Sequence, residues 1–228
     1  VSKNGKVLFK TNKIENIHVI NSVNVNVNEI NLDLKLKKNH VKVMRLIENN
    51  VITKEVHRTV TVKDGLYVND PNQDILKIAV VERHHYTKNI GIALMEGYGI
   101  KNGAVAMTVA HDSHNLVVVG DNDKDMMIAI QELKNIQGGI TIVHNGKVID
   151  SLQLEIAGLM TNQEYKTVEA KLIEMNKVAR DLGVNKEIDD PFLSLAFMSL
   201  PVIPDLKLTD HGLFDVTTFS PTDIEVKE

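Results

Sequence analysis

Residues 108–120, TVAHDSHNLVVVG, set His111, Asp112, Ser113 and His114 in a polar break between two apolar runs. Imidazole and carboxylate this close together can bind a divalent ion, or serve as base and orienting group in a proton transfer. In a helical turn His111 and His114 share a face; in an extended strand Asp112 and His114 do. The same residues also suit a plain turn, because Asp, Ser and Asn bond their own backbone there. From spacing alone the turn is the favoured reading. A second cluster, ERHH at 82–85, closes an apolar run with Glu82 and His84 on one face. It reads as a ligand site at a strand end or, more plainly, as an ion pair among Glu82, Arg83 and their neighbours at a strand mouth. His144 and His211 sit beside turn glycines, and His18, His40 and His57 have no evident acidic or histidine partner.

Several chemistries are excluded. The 228 residues contain no cysteine, which removes disulfides, thiolate zinc sites and cysteine nucleophiles and suits a reducing cytoplasm. A net charge of -4 lacks the basic field that nucleic-acid binding needs. No phosphate-binding G-x-x-x-x-G-K-[ST], dinucleotide G-x-G-x-x-G, G-x-S-x-G elbow, H-E-x-x-H or H-x-H pair occurs. No apolar run is long enough to span a membrane. The start at Val1 rather than Met points to a piece of something longer.

The elements that must position the two clusters can be read from periodicity. Asn4-Gly5 between strand-like flanks predicts a hairpin. In VNVNVNEINLDLKLK, alternation with a phase break at Glu29 predicts an extended segment with one apolar face, or else a linker lying over the surface. Residues 41–68 read as β-rich, closed by Asp64-Gly65, and Ile75–Val81 as a strand buried on both faces. A helix is expected from an Asp121 N-cap to about Gln137, followed by two strands around Asn145-Gly146. Thr161 to Glu164 suggests a capping box for a second long helix, and Asp190-Pro191 the start of a short third one. The tail from Asp205 reads as extended. The fold class is α+β: layered mixed β-sheets with two long helices and one short helix packed on them, preceded by a small β-hairpin region. With aromatics at 4% and no Trp, the core must be aliphatic.

Taken together, DILKIAVVERHHYTKNIGIALMEGYGIKNGAVAMTVAHDSHNLVVVGDNDKDM, IAGLM and DPFLSLAFMSLPVIPDLKLTDHGLFD resemble the C-terminal part of the bacterial and archaeal adenine deaminases of the amidohydrolase superfamily. The resemblance runs from about Asp74 to Asp215. It implies a division into 1–73, the end of a small β domain with a connecting β-rich segment, and 74–228, an α+β domain. It also implies a hydrolase of purine salvage that converts adenine and water to hypoxanthine and ammonia. In that family a divalent metal, manganese or iron, held mainly in an upstream barrel, generates the attacking hydroxide. The barrel's H-x-H is absent here, so this chain alone is expected to be inactive. The family pattern falls on Glu82, Arg83 and His84 and on His111 to Asn115. It implies that Glu82, His84, His111, Asp112 and His114 face the barrel mouth to orient adenine or relay protons, with His111 and His114 as an accessory metal pair. The expected partners are the upstream barrel, adenine and further copies of the chain. A structural or dimerising domain, with the polar motif bonded internally, and an independent small-molecule binding module remain the alternatives.

Overall fold

The computed structural model describes residues 2–7 and 22–226. At the N-terminus β1 (Ser2–Lys3) pairs with β2 (Lys6–Val7) around Asn4-Gly5, whose positive φ angles of 51° and 74° are those of the expected tight turn. The described chain resumes at Ser22 as a strap over the sheet. Val23, Val25, Leu32, Leu34 and Leu36 are buried, so the alternation did report one apolar face. Its phase break is a single 3-10 turn, Val27–Glu29, under an Asn26 cap. The strap forms no strand of the main sheet; Asn24, Leu34 and Leu36 instead make single backbone hydrogen bonds to the elements they cross.

Next come β3 (His40–Leu46), β4 (Thr53–Thr59), the small hairpin β5 (Thr61–Lys63) and β6 (Leu66–Val68), then β7 (Ile75–Val81), β8 (Ile90–Glu96), β9 (Gly103–Met107) and β10 (Leu116–Gly120). Helix α1 (Asp123–Asn135) leads to β11 (Gly139–His144) and β12 (Lys147–Gln153), helix α2 (Tyr165–Asp181), short helix α3 (Pro191–Ala196), and a closing sheet of β13 (Leu206–Thr209), β14 (Gly212–Asp215) and β15 (Ser220–Pro221). The main sheet has eight strands in the order β12-β11-β9-β10-β7-β8-β3-β4. Only β3 and β8 run parallel; every other neighbouring pair is antiparallel. The general association of ligands with strand ends in parallel sheets therefore lends no weight to the site here.

All seven residues of β7 are buried because both faces of the sheet are covered. Leu76, Ile78 and Val80 pack into a cluster with Phe192 and Leu195 of α3, Met175 of α2 and Leu206 of β13. Ala79 and Val81 point the other way, toward Met126, Ile130 and Leu133 of α1. Each such aliphatic side chain contributes about 1.5–3 kcal/mol by burial.

Two expected caps fall elsewhere. Asn122, not Asp121, caps α1, accepting from the Asp125 amide, while the Asp121 carboxylate accepts from the amides of Asn102 and Gly103. The Thr161–Glu164 capping box does not form: α2 starts at Tyr165 without a side-chain cap. The Thr161 hydroxyl bonds Glu155 and the Gln163 amide instead. The Asp190-Pro191 start of α3 is as expected, with Asp190 accepting from the amides of Phe192 and Leu193.

Candidate functional site

Because β7 and β10 are antiparallel, with Val81 opposite Leu116, the end of one strand and the start of the other lie at the same edge of the sheet. The chain leaving β7 carries Glu82 to His85, and the chain entering β10 carries His111 to His114. Strand pairing alone therefore brings together the two polar clusters. The Nε2–H of His84 donates to the Ser113 carbonyl over 2.8 Å, which joins the loops directly.

Glu82 is 7% exposed and folds back on its own loop. One carboxylate oxygen accepts from the amides of His84 and His85, the other from the amide and hydroxyl of Thr87. Burial pulls its pKa upward, but the amides of Thr87, His85 and His84 and the Thr87 hydroxyl outweigh it and hold the carboxyl down at about 2. Glu82 is thus a fixed anion with both oxygens engaged.

Among the described residues Arg83 makes no ion pair; it is 1% exposed and its guanidinium is spent on backbone carbonyls. Nε donates to His114 O at 2.6 Å, one Nη to Ala157 O at 3.1 Å and the other to Ser22 O. One side chain thereby ties the strap, the His111–His114 loop and the turn after β12. Burial lowers its pKa to about 10, which leaves it charged at neutral pH.

In the second cluster the backbone is bonded internally and the rings are not. The His111 amide donates to Ala196 O, the Ser199 hydroxyl to His111 O and the His114 amide to Ala110 O. His114 has φ +52°, a left-handed conformation in which His is tolerated better than most residues. The His111 ring lies 4.8 Å from Phe197 and 5.6 Å from the His114 ring. Among the described residues buried His114 Nδ1 has no hydrogen-bond partner. Burial first, then His111 and Arg83, lower the His114 pKa below its ordinary 6.5. Asp112 and Ser113 are exposed. Among the described residues no three His, Asp or Glu side chains converge as a metal-binding group. His111 and His114 therefore do not fit a complete metal site by themselves.

A third segment belongs here that the sequence reading missed. Asp210, beside the exposed His211, accepts from Asn115 Nδ2 at 3.2 Å and from Asn89 Nδ2 at 3.1 Å. Only the Asp210–Gly212 break between two alternating apolar–polar stretches marked it. His57, expected to be unpartnered, lies 2.8 Å from Glu55 and edge-on to His40 across β3 and β4, remote in sequence from both clusters.

The model of the adenine deaminase C-terminal domain matches residues 50–220. Adenine deaminase 2 of Carboxydothermus hydrogenoformans is 46% identical over 221 residues, covering 96% of this chain and 39% of the relative. The adenine deaminases of Clostridium acetobutylicum and Halalkalibacterium halodurans are 44% and 43% identical, covering 96% and 99% of this chain and 40% and 39% of their own lengths. This chain spans about two-fifths of these curated relatives. With the match covering both histidine loops, Asp210 and strands β7 and β10 that unite the loops, the chain belongs to the adenine deaminase C-terminal domain family.

Proposed function

We propose that this chain is the C-terminal part of a cytoplasmic enzyme that hydrolyses adenine to hypoxanthine and ammonia, and that its histidine edge closes over the mouth of an upstream barrel. The observation that carries the reading is the meeting of two histidine-bearing loops at one sheet edge, the His84 ring bonded to the Ser113 carbonyl and the His111 and His114 rings left without a hydrogen bond among the described residues. His111, Asp112 and His114 orient the purine or move protons at its rim; His84 holds their loop. Glu82, with both oxygens engaged, acts by shaping the loop that carries His84. A divalent metal, manganese or iron, would be held by the barrel and would supply the attacking hydroxide by lowering the pKa of bound water. An accessory ion at His111 and His114 would need a further ligand beyond those the described residues place there.

Ammonia release from adenine tests the reading, with this chain and the upstream barrel assayed separately and together in Mn²⁺ or Fe²⁺. Activity only in the joined protein is expected. Full activity of the barrel alone would reduce this chain to a structural or dimerising role. Turnover by this chain alone would contradict the reading from the other side. Adenine affinity of the isolated chain, measured by equilibrium titration, would indicate an independent binding module.

A further inference from the structure

We propose that Asp210 is a positioning residue for the His111–His114 loop, acting through Asn115; the inference rests on the function proposed above and deepens it. Asn115 is the residue through which that loop enters β10, and it is 3% exposed. Its Nδ2 donates to one carboxylate oxygen of Asp210, while the other oxygen accepts from Asn89, which ends the loop carrying His84 and His85. One carboxylate thus spans two loops that are otherwise joined by His84 and Arg83 to backbone carbonyls.

A clamp needs a fixed base, and the turn between β13 and β14 is one. The Thr209 hydroxyl donates to Gly212 O, and the His211 amide donates back to that hydroxyl oxygen. The turn presses on Gly91 at the start of β8 so closely that a methyl group there would lie 1.9 Å from Thr209 O and 2.9 Å from Gly212 N. Asp210 is thereby carried on an internally bonded turn packed against β8, and both loops bond to it there.

The two donors on Asp210 differ in burial, Asn115 being 3% exposed and Asn89 half-buried, and this decides which amide can turn over. In Asp210→Asn the new amide oxygen accepts from Asn115 Nδ2, and its NH2 donates to Asn89 Oδ1 once the half-buried Asn89 amide turns over. Both links survive without the charge. Asp210→Ala loses both.

The experiment uses the full-length enzyme, with kcat and KM for adenine measured well below the melting temperature. Asp210→Ala is expected to lower kcat by about tenfold or more, since small displacements of positioned groups are costly. Asp210→Asn should stay within about threefold of wild type, and KM should move less than kcat in both. Equal impairment of the two variants would overturn the clamp in favour of a role for the charge, and wild-type kcat in both would remove any role. If Asp210→Ala does not fold, Asn115→Ser carries the same expectation, and wild-type kcat there would overturn the proposal. His111→Ala and His114→Ala run in parallel. Loss in these variants with none in Asp210→Ala rejects the clamp alone. No loss in any rejects the proposed function of the loop itself.

Discussion

The Nε2–H of His84 donates to the carbonyl oxygen of Ser113, so a side chain leaving β7 holds the backbone entering β10. The bond requires the proton on Nε2, which leaves Nδ1 to face other partners. Replacing His84 by Ala should cost about 1 kcal/mol, the usual worth of one partly exposed hydrogen bond. It should also speed amide exchange in residues 111–115. His84→Gln, whose amide can donate in a similar position, should recover part of both. Urea unfolding and hydrogen exchange of the three proteins decide the matter; identical exchange in all would mean that strand pairing alone fixes the loop.

Arg83 should be the most stability-sensitive residue of the site. Its three carbonyl partners, Ser22, His114 and Ala157, come from separate parts of the chain, and hydrogen bonds to a charged group contribute about 1.5–3 kcal/mol each. Because the bonds share one group, their loss is not additive. Arg83→Met should still destabilise the fold by more than about 3 kcal/mol, and Arg83→Lys, which cannot reach three carbonyls in one plane, should recover little. A Lys variant of wild-type stability in urea would show that charge, not the forked geometry, is what the site needs.

Glu82 gives a pH signature. Its pKa falls from 4.5 unfolded to about 2 folded, because amide and hydroxyl donors outweigh burial. A depressed folded pKa means that the stabilisation is complete above about pH 4.5 and is lost as pH falls toward 2. Glu82→Gln puts an NH2 where the loop amides need an acceptor. It should be less stable than wild type at pH 7, with the gap closing between pH 4.5 and 2. A gap that stays constant across that window would show that the carboxylate is not the anchor of the loop.

What could be read in the sequence followed local physics. Alternating burial in the strap, the Asn-Gly and Asp-Gly turns, the doubly covered β7 and the Asp190-Pro191 cap all depend on residues within a few positions. Competing hydrogen-bond partners, some near and some distant in the chain, decided the failures. Thr161 resembles a helix cap but is claimed by Glu155. Asp121 resembles one too, but the Asn102–Gly103 amides claim it. Arg83 beside Glu82 suggests an ion pair, yet Glu82 is satisfied by its own loop and Arg83 by carbonyls far along the chain. The two histidine clusters were visible singly. Their union depended on β7 and β10 being antiparallel neighbours, which no short-range pattern encodes.

His114 offers the most direct probe of the edge at neutral pH. Burial, then His111 and Arg83, push its pKa below 6.5, with Asp112 pulling the other way and His84 adding a smaller downward push. The ring is therefore neutral at pH 7, the state required of a proton acceptor. Since the unfolded chain binds this proton more readily than the folded one, the stability linked to His114 is whole above about pH 6.5 and lost as pH falls through that value toward the folded pKa. His114→Gln removes the titration. The stability of wild type relative to His114→Gln should be flat above pH 7 and decline below 6.5, with the His114 ring resonances titrating at a midpoint below 6.5. A midpoint above 7 would mean that Asp112 dominates the ring, making it mainly a cation at pH 7 and a donor rather than an acceptor toward adenine.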